Sequence, residues 1–400
     1  MSPDGVNARQ NTVEIGAHHA AAHRTGAESA ATSAHAASDR VGGASDGADA
    51  VARPIDWVDA TGSELGYLRL LDQTLLPTES RYLRVDTVDA LVDAISRLAT
   101  RGAPALGVAG AFGVALAAQT IPASSVGDAI ARIRAARPTA VNLAWGTDRA
   151  AEAFASGGFD AALAVAKQIR DDDIQASTSM ARRGADELYR EVSLRRAELG
   201  NPDAKRLRLL TICNTGALAA VERGTALGVI EEVLRDGQLE RAYACETRPL
   251  QQGARLTAWE LHRMGAPYDL LVDSAAASTM RRGYVDAVLA GADRIAANGD
   301  TANKIGTFAL ALAARYAGIP FYIVAPETTI DLQTAHGDDI PIEDRGSAEV
   351  VSLHGVRIAP DQATALNPAF DVTPAELITA IITDRRVIHP ATGERPDDEH

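Results

Sequence analysis

Five apolar runs in this chain each end in polar residues able to do chemistry. The run 209–213 (LLTIC) ends in Cys213 and leads into Asn214, Thr215 and Gly216. The run 242–245 (AYAC) leads into Glu246, Thr247 and Arg248, then Gln252, and the run 268–272 into Asp273 and Ser274. Residues 287–291 (AVLAG) deliver Asp293 and Arg294, with Asn303 and Lys304 following, and residues 321–326 deliver Glu327. A thiol and a carboxyl among cations suit acid–base work on a small anionic substrate. A thiol at a strand end is, taken alone, most often a small buried hydrophobe. Here Asn-Thr-Gly predicts a helix opening beside Cys213, and a helix N-terminus stabilises a thiolate. Asp293 reads equally as a helix cap or a partner of Arg294. Asn303 and Lys304 fall at a predicted helix start, where a cation opposes the macrodipole and a bound anion would account for it. Further up the chain, Arg101-Gly102-Ala103-Pro104 sets a guanidinium and a glycine ahead of a helix, and Arg137 offers a second fork for an anion.

The elements that must position these residues follow from periodicity. Past Asn201-Pro202, short apolar runs alternate with helical segments: 216–234, ARLTAWELHRM, AAASTMRR and NKIGTFALALAARYAG. That alternation predicts right-handed crossovers, hence a doubly wound α/β fold with a parallel sheet and helices on both faces. Ligands bind beyond the carboxyl ends of such strands, where the polar residues above accumulate. The first half reads differently. Residues 55–83 are extended, with turns at Thr61-Gly62 and Pro77. Asp86 or Thr87 then caps a helix with apolar spacing of three and four, and further helices are predicted over 105–118, 125–136, 139–156 and 160–199. The expected organisation is a tail over 1–52, a smaller, mainly helical N-terminal domain with a short extended cap over 53–200, an α/β catalytic domain over 201–390 and a flexible C-terminus over 391–400.

Composition narrows the class. A formal charge of −14 and a pI near 5.1 argue against nucleic acid as a partner, since phosphate backbones reward basic surfaces. Two cysteines, Cys213 and Cys245, make no disulfide framework and suit a reducing compartment. No signal peptide is visible, and the apolar stretch 105–118 is short of the ~20 residues of a spanning helix, so a buried core helix is expected. Residues 1–52 hold almost no large apolar side chain and predict a disordered, solvated tail, His18, His19, His23 and His35 included. Gly107, Gly110 and Gly113 read as a close-packing stripe. No dinucleotide fingerprint follows a strand, no phosphate-binding Walker loop is present, and no Cys/His set has metal spacing, so neither metal nor nucleotide cofactor is expected.

Taken together, RGAPALGVAGAFGVALA, RPTAVNLAWG, TICNTGALA, ACETRPLQQGARLTAWEL, GADRIAANGDTANKIGTFALALAARYAGIPFYIVAPETTID and NPAFDVTPAELITAIITD run in order along 54–390. The chain thereby resembles the methylthioribose-1-phosphate isomerase family, in the superfamily that also holds regulatory subunits of an initiation-factor exchange factor. The resemblance implies a Rossmann-like C-terminal domain, a cytoplasmic homodimer, and conversion of 5-methylthioribose 1-phosphate to 5-methylthioribulose 1-phosphate in methionine salvage. It places Cys213 and Asp293 on the catalytic pair, and Arg101, Gly102, Ala103, Arg137, Gln252, Asn303 and Lys304 on the substrate-binding motifs. Gln251 and Ala275 depart from the family pattern beside the site. The alternatives are an isomerase of 5-deoxyribose 1-phosphate or ribose 1,5-bisphosphate, and a non-catalytic regulatory subunit.

Overall fold

The computed structural model describes residues 53–138, 140–198 and 206–398; the predicted tail lies outside the described residues. The described residues open with three antiparallel strands, β1 (Ile55–Val58), β2 (Tyr67–Leu71) and β3 (Tyr82–Val85), the extended cap of the sequence reading. Helix α1 (Val88–Ser96) starts where its cap residue dictates: the Thr87 hydroxyl accepts the Ala90 N–H at 3.2 Å. Then come α2 (Ala103–Thr120), α3 (Val126–Ala135) and the long α4 (Val141–Glu198). α4 breaks at Gly157 and Gly158, whose backbone angles are non-helical, so the two predicted helices do run on either side of the 156–160 gap.

α2 is apolar and long enough to cross a membrane by length and composition, yet 72% of it is buried inside the protein. Its glycine stripe packs helix on helix. A Cβ on Gly110 would lie 2.5 Å from the Thr147 hydroxyl of α4, and one on Gly113 would lie 2.6 Å from Leu91 of α1. Backbones can approach that closely only without a side chain between them.

The second half is built on a seven-stranded sheet. Its strands are β4 (Leu207–Thr211), β5 (Leu239–Cys245), β6 (Tyr268–Leu271), β7 (Ala287–Ala290), β10 (Phe321–Val324), β15 (Ala380–Ile382) and β16 (Val387–Ile388), in the order β16-β15-β10-β7-β4-β5-β6. All pairings are parallel except β15 with the edge strand β16. Counted along the chain, the six parallel strands stand 3-2-1-4-5-6, and the order reverses between β4 and β7. Crossovers leave in opposite directions on either side of such a point and open a crevice there.

Alternate residues feed two cores. Leu209, Leu289 and Tyr322 pack with Val229 and Ile230 of α5 (Ala226–Arg235) and with Leu188 of α4. Leu210, Val288, Phe321 and Ile323 pack on the opposite face with Met280 of α7 (Ala276–Arg281) and Leu310 of α8 (Thr307–Ala317). The period of two along each strand makes both faces apolar, as a sheet covered on both sides requires.

Three features differ from the sequence reading. No helix opens directly behind Cys213. Only a three-residue 3-10 turn (Ala217–Ala219) lies between it and α5, because the chain first loops to let Thr225 N–H reach Thr215 O at 2.7 Å. Asn303 and Lys304 do not start a helix either. They end β9 (Thr301–Lys304), which with β8 (Arg294–Ala296), β11 (Ile330–Asp331) and β14 (Phe370–Thr373) forms a second sheet ordered β11-β8-β9-β14, beside a small antiparallel pair, β12 (Ser352–Leu353) and β13 (Val356–Arg357). The pairing Lys304 with Phe370 joins residues far apart in sequence, which local patterning cannot signal. Lastly, residues 391–398, predicted as a loose end, are engaged: Arg386 donates to the carbonyls of Pro396 at 2.7 Å and Asp398 at 3.2 Å.

Candidate active site

A cavity of about 540 Å3 opens at the carboxyl ends of β4 and β7, where the strand order reverses. Arg101, Gly102, Ala103, Arg137, Cys213, Gln252, Asp293, Asn303 and Lys304 all line it. The structure therefore brings together all nine site residues named from the sequence, which come from six separate stretches of chain.

Cys213 sits two residues past β4. Its backbone is in the left-handed region, with φ of 65°, uncommon for a residue with a side chain and costly enough to need fixing by neighbours. Two threonines supply the fixing. Cys213 N–H donates to the Thr247 hydroxyl at 2.9 Å, and the Thr257 hydroxyl donates to Cys213 O at 2.6 Å. Thr247 and Gln251, also beside the cavity, share the unusual conformation with φ of 64° and 54°. The Gln252 amide N–H reaches the Cys213 sulfur at 3.7 Å, while its carbonyl oxygen is buried without a partner among the described residues.

Asp293 follows β7 in the short link to β8. It caps no helix, and Arg294 pairs with Asp331 at 3.4 Å instead. Both alternative roles considered for Asp293 thus lack a geometric basis. It is partly buried and its side chain faces the cavity. Burial raises its pKa above the usual carboxylate value, against the opposing pull of Lys304, Arg137 and Arg101. Burial likewise lowers Lys304, opposed by Cys213 and Asp293. It also lowers Arg137, opposed by Asp293 and Glu343. Lys304 is anchored by donating to Ala369 O at 2.8 Å, and its ammonium lies 4.3 Å from the centre of the Phe370 ring. The Asn303 amide donates to the Thr307 hydroxyl at 2.9 Å, tying the strand end to α8.

Gly102 caps α2 with φ of 97°, and a Cβ there would lie 2.3 Å from Ala219 O, so only glycine fits. α2 thereby presents its first N–H groups beside Arg101, with Pro104 in its first turn. A carboxyl, a thiol and three cations in one cavity can protonate one atom of an anionic ligand, deprotonate another and neutralise its charge.

Several residues in or behind the cavity wall were given no role by the sequence reading. Arg255, lowered by burial and by Arg101, and Arg345, ion-paired with Glu349 at 2.5 Å, add guanidinium groups. Asn214, seen in the sequence as part of a turn, accepts from Arg101 at 2.6 Å. Behind it stands Glu260, on α6 (Ala258–Arg263). A carboxylate among the apolar residues Leu256, Ala258, Trp259 and Leu261 was its one signal in sequence.

This architecture and site belong to a family. The Initiation factor 2 subunit family model matches residues 99–390, and the chain belongs to that family. Within it, the chain is 48% identical over 342 residues to a methylthioribose-1-phosphate isomerase of Anaeromyxobacter sp. (strain K), covering 84% of this chain and 94% of that one. A probable bifunctional methylthioribose-1-phosphate isomerase/methylthioribulose-1-phosphate dehydratase of Nocardia farcinica is 47% identical over 86% of this chain. The match spans only 61% of that longer relative. Among solved structures, 5-methylthioribose 1-phosphate isomerase from Pyrococcus horikoshii OT3 superposes with a TM-score of 0.75 at 39% identity, covering 85% of this chain and 93% of that one. A structure described as translation initiation factor eIF-2B, subunit delta, from A. fulgidus gives 0.70, also at 39% identity, over 85% of this chain and 97% of that one.

Proposed function

We propose that this chain is an aldose–ketose isomerase that converts 5-methylthioribose 1-phosphate to 5-methylthioribulose 1-phosphate in methionine salvage. The observation that carries the reading is the joint placement of Cys213 and Asp293 in one cavity with Arg101, Arg137 and Lys304. Curated relatives near 48% identity over most of the chain support the substrate.

An anomeric phosphate locks C1, so the sugar ring cannot open by simple hemiacetal chemistry. Asp293, whose pKa burial raises, acts as the acid and gives its proton to the ring oxygen as the bond from that oxygen to C1 breaks. Cys213, with the Gln252 amide at its sulfur and the Lys304 ammonium among its electrostatic neighbours, takes the proton from C2, leaving an enol between C1 and C2. The same thiol returns a proton to C1 while the Asp293 carboxylate takes the one from the C2 hydroxyl, and the ketone results. Arg101, Arg137 and Lys304 hold the phosphate, and the binding energy of that group offsets the cost of reaching the transition state.

We assign residues 53–200 to the smaller, mainly helical domain and 201–390 to the catalytic domain, and the 3-2-1-4-5-6 strand order supports a doubly wound, Rossmann-like reading of the latter. The protein acts as a cytoplasmic homodimer.

NMR of the purified full chain with 5-methylthioribose 1-phosphate tests the reading, with the ketose signal as the expected product. Faster turnover of 5-deoxyribose 1-phosphate or ribose 1,5-bisphosphate would reassign the substrate. No turnover of any of the three would favour a non-catalytic subunit, a reading that the eIF-2B neighbour keeps in view. Run in D2O, the same assay reports the route, since solvent deuterium at C1 marks proton transfer.

A further inference from the structure

Glu260 is 4% exposed and does not line the cavity, so it cannot touch a ligand there. A carboxylate so placed needs a structural reason, because burying it without partners is expensive. Its two oxygens face different tasks. One accepts from the Leu218 backbone N–H at 3.2 Å, and the other accepts a short hydrogen bond from the Asn214 side-chain amide. The Asn214 carbonyl oxygen in turn accepts from the Arg101 guanidinium at 2.6 Å.

The chemistry of the three groups fixes the direction of this chain. Arg101 can only donate, so Asn214 must turn its oxygen to the arginine, and its amide nitrogen then donates to the Glu260 oxygen behind it. The carboxyl packs against the Gly216 backbone: a Cβ there would lie 2.5 Å from a Glu260 oxygen, so the lack of a side chain at Gly216 is what makes room for it. Thr257, one turn back on the same helical stretch, braces Asn214 at 3.3 Å and Cys213 O at 2.6 Å. Arg101 keeps its Nε without a partner among the described residues, a donor left over beside the cavity. Among the described residues, one of its nitrogens holds its orientation, through Asn214.

We propose that Glu260 is a positioning residue that aims Arg101 at the anionic group of the substrate through Asn214. The assignment deepens the isomerase reading and rests on it for the identity of that anion. In the Glu260→Gln variant the side-chain amide cannot accept from both Leu218 and Asn214 with the strength of a carboxylate. One contact is lost and Arg101 is freed.

The test uses the full chain and the Glu260→Gln, Arg101→Ala and double variants. KM for 5-methylthioribose 1-phosphate should rise about tenfold in Glu260→Gln, the scale of one charge-assisted hydrogen bond, with kcat within about threefold. The melting temperature should change little. In the double variant KM should match that of Arg101→Ala alone, because Glu260 acts only through that arginine. Additive effects on KM would overturn the proposal, as would a loss of melting temperature and kcat together with KM unchanged. Calorimetric titration with inorganic phosphate adds a readout that needs no turnover. Weaker phosphate binding in Glu260→Gln than in the unaltered chain sustains the proposal even if no sugar phosphate is isomerised. Equal binding, or no binding to either protein, overturns it.

Discussion

The two cysteines stand at the ends of neighbouring parallel strands, β4 and β5, and meet different surroundings. Cys245 stays in the hydrogen-bond ladder opposite Leu271, almost wholly buried, with its thiol pushed up to about 12 by burial and by the nearby charges of Asp273 and Glu246. Cys213 lies two residues beyond its strand, where the chain has turned out of the sheet into the left-handed region. Its sulfur meets the Gln252 amide, and the Lys304 ammonium is among its electrostatic neighbours. β4 borders the point where the strand order reverses, and β5 does not. The same residue type at similar strand ends is inert packing in one place and a candidate reactive group in the other, and topology makes the difference.

The buried carboxyls repeat the contrast. Asp293 and Asp173 are both raised by burial, Asp173 to about 7. Asp293 faces three cations in a cavity, whereas Asp173 sits on α4 near Glu222, with one carboxyl oxygen lacking a partner among the described residues. The first has a use for its proton; for the second, charging is only a cost.

Four substitutions sharpen these comparisons. The largest effect is expected from Asp293→Asn, which should lower kcat by about 10²–10⁴-fold, the range of general acid–base catalysis, while the fold persists. Since the acid must hold its proton, kcat of the unaltered enzyme should fall as pH rises through the raised Asp293 pKa, and the Asn variant should lose that limb. Turnover profiles and thermal unfolding on one preparation check both points, and a stable, active Asn variant would remove Asp293 from the mechanism.

Next, Cys213→Ser should reduce kcat by about 100-fold with KM within a few-fold. Cys245→Ser should instead keep activity within about twofold and cost about 1–2 kcal/mol of stability, because it buries a hydroxyl in apolar surroundings. Steady-state kinetics and urea unfolding of the pair distinguish the thiols, and similar kinetics for both variants would erase the distinction.

The smallest effect concerns Asp173. Its folded-state pKa is raised, so its contribution to stability is complete below the unfolded value near 4 and is lost as pH rises through about 7. Asp173→Asn should therefore stabilise the protein at pH 8 by about 1–2 kcal/mol relative to pH 5, with activity unchanged. Unfolding curves at the two pH values report the difference, and an equal effect at both would mean the carboxyl does not titrate in this range.

Much of this was legible in the sequence because it is local. Helix periodicity, the Thr87 cap, the break at Gly157-Gly158 and the alternation of strands with helices depend on neighbours within a few residues. So does the delivery of Cys213, Asp293 and Gln252 to strand ends or the loops after them. What sequence could not fix was which strands lie side by side. The second sheet pairs β9 with β14 across more than sixty residues, and that pairing, not a helix start, holds Asn303 and Lys304. The turn at Cys213 is set by Thr247 and Thr257, and the aim of Arg101 by Asn214 and Glu260, contacts that exist only once distant segments pack. Local patterns choose the elements because backbone hydrogen bonding and side-chain period are short-range. The placement of charge in a closed cavity is decided by burial and neighbours, which only the tertiary structure supplies.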